Sequence, residues 1–213
     1  MKRIAIMDAQ VPANERGFTL AELLISVSMT VFVVATAYML LNTVTIDSNM
    51  VQARTQAAEE NARAIHMITG EIRQAAEITE GYGVFDPAIF SATACGFYSD
   101  VDRDGAPEKV TYYVLGGALM KSVYQNTTAF APYEFAELPA DGYPQVVCSS
   151  VSNTDVFRYV DRQDPPEEVS ADNSQAVSVV IVHIVDVVTV GGHTGRSDIE
   201  TWVEIRTAGG LLE

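Results

Sequence analysis

Hydrophobic and polar positions divide this chain into two regimes. From Leu23 to Ile46 there are 24 residues without a formal charge. At helical rise that run covers about 36 Å, against about 30 Å for the hydrocarbon core of a bilayer. It predicts a membrane-spanning helix over 18–46. From Thr43 to Ile78 the composition turns polar, with no Pro and with Gly70 as the one Gly. Val44, Val51, Ala58, Ile65 and Ile72 recur every seven residues there, and Ile68 and Ala75 fill the next turn on that side. This spacing predicts that the helix continues as an amphipathic segment over 47–80 whose stripe packs on its own domain. The helix would run from Phe18 to about Ile78, about 90 Å. Thr79-Glu80-Gly81 would stop it, with Gly81 free to take the left-handed cap conformation.

The period then changes from helical to strand-like. Tyr82 to Ala92, broken by Gly83 and Asp86-Pro87, reads as a connecting loop. Thr93–Ser99, Lys109–Leu115 and Ala118–Tyr124 are rich in aromatic and β-branched residues, and only Gly116-Gly117 separates the last two. Two glycines between apolar runs predict a tight hairpin, and the three runs a three-stranded antiparallel meander. Further strands are expected at Gln145–Ser150, Asp155–Val160, Ala176–Val190 and Asp198–Thr207. Ala176–Val190 is apolar in both alternating registers, so it should be central and covered on both faces. Arg162–Gln175 is polar and carries Asp164-Pro165-Pro166-Glu167-Glu168, which predicts a mobile stretch. One long amino-terminal helix followed only by antiparallel strands over 81–213 is an α+β arrangement.

Composition limits the function. The 213 residues suffice for one ordinary domain plus an appendage, and the span accounts for part of the 48% hydrophobic content and mean hydropathy of +0.12. Net charge is −15; without residues 1–17 it is −16, from 10 basic against 26 acidic residues. A surface that tracks nucleic-acid backbone needs clustered Lys and Arg, which are lacking, so no nucleic-acid partner is expected. Lys2, Arg3 and Arg16 lie before the span, whereas the first charges beyond it are Asp47 and Arg54. The positive-inside rule therefore puts the amino terminus in the cytoplasm and the bulk of the protein outside.

Glu22 sits just inside the amino-terminal end of the apolar run. A carboxylate there is costly in lipid and asks for a partner. Glu15-Arg16-Gly17 followed by Phe18-Thr19-Leu20-Ala21-Glu22-Leu23 resembles the type IV prepilins and type II secretion pseudopilins at every signature position of their cleavage and methylation motif. The resemblance implies a pilin-like fold, with a 1–17 leader removed by a prepilin peptidase between Gly17 and Phe18 and the new Phe18 N-methylated. It also implies that Glu22 neutralises the terminal amine of a neighbouring subunit during filament assembly. The apolar run follows the implied cut, unlike a secretory signal peptide, so the span is retained. An ordinary single-pass anchor bearing a chance motif is the plain alternative.

Residues Phe97-Tyr98-Ser99-Asp100 through Asp104-Gly105, Val110-Thr111-Tyr112-Tyr113, Leu119-Met120-Lys121 and Thr201-Trp202-Val203-Glu204-Ile205-Arg206 are similar in pattern to PilW-type minor pilins and J-type minor pseudopilins. Many type IV pilins have Pro at the position of Met39. Its absence favours a pseudopilin or minor subunit. The function implied is structural and not enzymatic: a minor pilin or pseudopilin that initiates or caps a type IV pilus or type II secretion pseudopilus. Its partners would be the prepilin peptidase, other minor and major pilins or pseudopilins, the inner-membrane assembly platform and membrane lipid. It would sit in the bacterial inner membrane with its carboxy-terminal domain periplasmic, then in the pilus or pseudopilus. The alternative is an exported, helix-anchored binding module, adhesin-like or substrate-binding, displayed on such a filament.

Few residues suggest further chemistry. Asp100, Asp102 and Asp104 alternate before Gly105, with Glu108 following, as in a calcium loop. Thr111 stands where an EF-hand needs its bidentate Glu, and the flanks are strands, so a solvated acidic turn is favoured over calcium. Some pseudopilins bind calcium in such loops, which keeps calcium as the alternative. No cofactor is required. Gly191-Gly192-His193-Thr194-Gly195-Arg196-Ser197 lacks the spacing and Lys of a phosphate-cradling loop and reads as a hairpin loop. His66, His183 and His193 are scattered without a zinc motif, and His183 on an apolar strand reads as a core histidine. An oxidising compartment permits a disulfide between Cys95 and Cys148, but sequence leaves their juxtaposition open.

Overall fold

The computed structural model describes residues 18–76, 78, 84–128, 133–163 and 165–205. The 1–17 leader, with Gly17, and the helix stop at Thr79-Glu80-Gly81 lie outside them. Helix α1 runs from Leu20 to Ile72, short of the expected end near Ile78, because the Gln74 and Ala75 amides turn back to the Glu71 and Ile72 carbonyls at 3.0 and 3.1 Å and close the helix. Thr19 and Glu22 open it with a capping box. Glu22 Oε2 accepts from the Thr19 amide at 3.0 Å, and Thr19 Oγ1 accepts from the Glu22 amide at 3.3 Å. By contacts the chain divides into 1–46 and 47–213. In the first unit every described side chain is exposed, including Phe32, Leu40 and Leu41. Among the described residues α1 is the one helix long and apolar enough to cross a membrane.

The second unit holds eight strands: β1 (Phe85–Ser91), β2 (Ala94–Ser99), β3 (Glu108–Leu115), β4 (Ala118–Tyr124), β5 (Gln145–Cys148), β6 (Phe157–Val160), β7 (Val179–Val190) and β8 (His193–Glu204). They form a five-stranded sheet, β1-β2-β3-β4-β5, and a three-stranded sheet, β6-β7-β8, with every pairing antiparallel. Backbone links join the sheets, among them the bridge between Val151 and Asp186 and the 2.9 Å bond from the Phe157 amide to the Ala92 carbonyl. Ile68, Ile72, Phe85, Phe97, Tyr112, Leu119, Phe157, Val180 and Ile184 share one core.

Several expectations stand. The β2-β3-β4 meander is present, and Gly116 and Gly117, with φ of 61° and 81°, make its two-residue turn. β7 is central in its sheet and buried on both faces over much of its length. Others are corrected. Residues 85–91, expected as loop, form β1. Pro87 is tolerated because β1 is an edge strand with an irregular register, and Asp86 Oδ1 takes the Ala88 amide at 2.9 Å. The expected 191–197 loop shrinks to Gly191-Gly192, both at positive φ, and β8 starts at His193 rather than Asp198. Beyond these corrections, Glu168 bridges Val160, and Ala171–Ala176 is a 3₁₀ segment.

The buried stripe of α1 also differs from the expected one. Val44, Val51 and Ala58 are exposed, and the covered positions are Ala53, Ala57, Asn61, Ala64, Ile65, Ile68, Thr69 and Ile72. In the upper turns the helix packs through alanines because the sheet comes close. A Cβ built on Gly195 would fall 2.4 Å from the Ala53 carbonyl carbon. Counting large apolar residues selects the wrong face there; from Ile65 onward, where bulky side chains fill the core, it selects the right one.

Candidate functional site

The amino-terminal segment combines a helix start with bare apolar surface. Phe18 is 84% exposed, and beyond it Leu23, Leu24, Val27, Val31, Val34 and Leu41 project from α1 without intramolecular cover. Glu22 holds both Thr19 hydrogen-bond donors, since Thr19 Oγ1 also donates to Oε2 at 3.0 Å. Within one chain its carboxylate is therefore a cap. Glu22 is exposed, and a carboxylate oxygen has lone pairs for a second donor.

The acidic loop between β2 and β3 is brought together only in part. Ligand oxygens of Asp100, Asp102 and Glu108 lie within 4.8 Å of one another, and Asp104 is outside that group. Asp104 Oδ1 instead accepts the Ala106 amide at 2.8 Å, folding the turn. Arg103 and Gly105, at φ of 64° and 92°, supply the left-handed positions that reverse the chain. Glu108 is buried, and its Oε2 accepts the Val101 amide at 2.7 Å. Burial lifts the Glu108 pKa; the Val101 amide opposes this, and the charges of Asp102, Asp104 and Asp100 add to it. Asp100 Oδ1 is buried without a hydrogen-bond partner. Three converging carboxylates with one orphaned oxygen are a donor set that suits a hard cation such as calcium. A polar cleft of about 440 Å³, lined by Asp104, Glu108, Gln125 and Asn126 among others, opens beside the loop.

The cysteines are free thiols, and both are buried. Cys95 on β2 and Cys148 on β5 belong to one sheet but have β3 and β4 between them, about 14 Å at ordinary strand spacing, too far for a bridge. The permitted disulfide is absent here. Burial pushes the Cys95 thiol up to about 12, with the Tyr159 hydroxyl pulling weakly the other way.

Two polar constellations escaped the sequence reading. In the last turn of α1, Glu71 accepts from Lys121 and Tyr112. His183 is half-buried rather than a core histidine: its Nε2 lies 3.0 Å from Asp198 Oδ1 and its Nδ1 3.6 Å from Asp155 Oδ2. A hydrogen bond from His183, with help from Arg196, holds Asp198 below the usual carboxylate range. Both constellations join residues far apart in the chain, so no local motif announces them. His66 is exposed, and His193 opens β8. No family model and no curated protein matches the chain.

Proposed function

We propose that the chain is a minor pilin or minor pseudopilin, processed between Gly17 and Phe18, held in the inner membrane by the first part of α1 and incorporated through that helix into a type IV pilus or type II secretion pseudopilus. The observation that carries this reading is the capped start of α1: Phe18-Thr19-Leu20-Ala21-Glu22 leads without interruption into a helix whose first unit has an exposed apolar surface. Such a surface requires lipid or other helices around it. A span that served only as an anchor would use Glu22 as its cap alone, whereas a helix that exchanges lipid for a bundle of its fellows gives the carboxylate a second use. The α+β domain that follows agrees with a pilin-like layout, and its net acidity disfavours a nucleic-acid role.

The test is processing. Coexpressed with a prepilin peptidase, the chain should lose residues 1–17, and mass spectrometry should find N-methylated Phe18. Gly17→Val should block the cut. An intact amino terminus in the presence of active peptidase, or equal processing of Gly17→Val, overturns the proposal.

A further inference from the structure

Three ligand-type side chains converge where three elements of the second unit meet. Glu60 comes from α1, Cys148 ends β5 at the edge of the five-stranded sheet, and Asp186 lies within β7, the central strand of the other sheet. One oxygen of each carboxylate and the Cys148 sulfur lie within 4.8 Å of one another. The sheets are joined at this spot by backbone: Val151 bridges Asp186, the Val187 amide donates to Ser150 O at 3.0 Å, and the Ser152 amide to Val185 O at 2.8 Å.

Asp186 is what packing alone does not explain. It is 0% exposed, on a strand made largely of Val and Ile, and neither carboxylate oxygen has a hydrogen-bond partner. The Cys148 thiol and the Val187 amide approach it and offset a little of the burial that lifts its pKa. The amide, however, is engaged with Ser150 O, and the thiol reaches hydrogen-bonding geometry with neither oxygen. An unpaired buried carboxylate is strongly destabilising, and a second carboxylate beside it adds repulsion. Arg63 acts on Glu60 from a distance. Among the described residues, no Lys or Arg forms an ion pair with Glu60 or Asp186.

We propose that Glu60, Cys148 and Asp186 bind one thiophilic divalent cation, zinc, which staples α1 to both sheets. A thiolate in the donor set disfavours calcium and magnesium, which take oxygen, and selects zinc among the common divalent ions. Zinc accepts Cys sulfur at about 2.3 Å and carboxylate oxygen at about 2.0–2.2 Å in a tetrahedron, so its ligand atoms sit about 3.3–3.8 Å apart. Their present separations, none above 4.8 Å, exceed that spacing by at most about 1.5 Å. Glu60 is already oriented as a ligand is by its outer partners: Ser149 Oγ donates to Oε2 at 2.7 Å and Gln56 Nε2 to Oε1 at 3.3 Å. Three protein ligands leave the fourth position to water. Burial raises the Cys148 thiol to about 11. Zinc displaces its proton, which leaves to solvent, and the same charge pairs Asp186.

The test uses the full chain in detergent micelles, reduced and stripped of metal with a chelator that is then removed. Titration with zinc alone should show one ion per chain, with proton release and a melting temperature raised by several degrees. Cobalt(II) should give the near-ultraviolet absorption of a thiolate-to-cobalt transfer, which a site without Cys148 cannot produce. Cys148→Ser should abolish that absorption. Asp186→Asn should weaken zinc at least tenfold, while its metal-free form melts no lower than the parent because an unpaired charge is gone. Absence of the cobalt band in the parent chain overturns the site and leaves a shared proton as what neutralises the cluster. Unchanged zinc affinity in Cys148→Ser overturns it as well, since the ion would then be held elsewhere, for example near His183.

Discussion

Lys121 Nζ lies 2.5 Å from Glu71 Oε1, so β4 is tied to the last turn of α1 by a charge pair whose side chains are only 5% and 20% exposed. Tyr112 OH donates to the other Glu71 oxygen at 2.6 Å, bringing β3 into the same knot. Removing one partner of a buried pair strands the other charge, at about 3–5 kcal/mol, whereas replacing both with apolar groups is often neutral. Glu71→Ala should therefore destabilise the chain by about that amount in urea unfolding, and Glu71→Leu with Lys121→Met should recover most of the loss. A double variant as unstable as the single one would mean the pair contributes more than mutual neutralisation.

Gly195 is required by space, not by backbone conformation. Its missing side chain admits the backbone of α1, with Arg54 N as near as Ala53 C to the Cβ position, both at 2.4 Å. Backbone cannot rotate away as a side-chain tip can, so Gly195→Ala should force helix and sheet apart and cost about 1–3 kcal/mol or more. Gly70, in α1 with nothing within 4 Å of a built Cβ, is the matched control. Gly70→Ala should stabilise by about 0.5–1 kcal/mol. Thermal unfolding of the two variants should move in opposite directions.

These two relationships show where sequence reading succeeds and where it stops. Elements whose signal is local were legible: the apolar first part of α1, the Gly116-Gly117 turn, and the doubly apolar register of β7. β1 was hidden because Asp86-Pro87 are breakers in a central strand yet acceptable at a sheet edge. The start of β8 was hidden because Gly195, which reads as a loop residue, is there to admit α1. Among the candidate residues, sequence gathered Asp100, Asp102 and Glu108 correctly as neighbours but included Asp104, whose carboxylate folds the turn. It could not gather Glu60, Cys148 and Asp186, which lie on three elements and meet only through tertiary packing.

The acidic loop gives a pH test. Folding raises the pKa of Glu108 above its ordinary 4.5, so the folded chain binds that proton more tightly than the unfolded one. Its effect on stability is therefore unfavourable at neutral pH and is relieved as pH falls through the raised folded value toward 4.5. Glu108→Gln should raise the melting temperature at pH 7 and flatten the rise that the parent chain shows on mild acidification. Calcium, if held by Asp100, Asp102 and Glu108, favours the charged form and should raise the melting temperature at pH 7 but not at pH 4.5. No response to millimolar calcium at either pH would leave the loop a solvated turn.

The proposed assembly gives Glu22 a second job, an intermolecular charge, to be separated from the intramolecular cap. A cap tolerates Gln at this position, because an amide oxygen still accepts the Thr19 amide. Pairing with the amine of another subunit does not tolerate it, because the charge is lost where a buried ammonium would have no counterion. Glu22→Gln should thus leave membrane insertion, helix content and cleavage after Gly17 unchanged, yet reduce crosslinking to partner pilins and the yield of filament or secretion. Thr19→Ala makes the converse change: it removes the hydroxyl that caps the helix, costing about 1 kcal/mol, and keeps the carboxylate. It should frustrate the first turn but preserve crosslinking. If Thr19→Ala abolishes crosslinking while Glu22→Gln does not, Glu22 acts through the shape of the helix start, and the charge-pairing account of assembly fails.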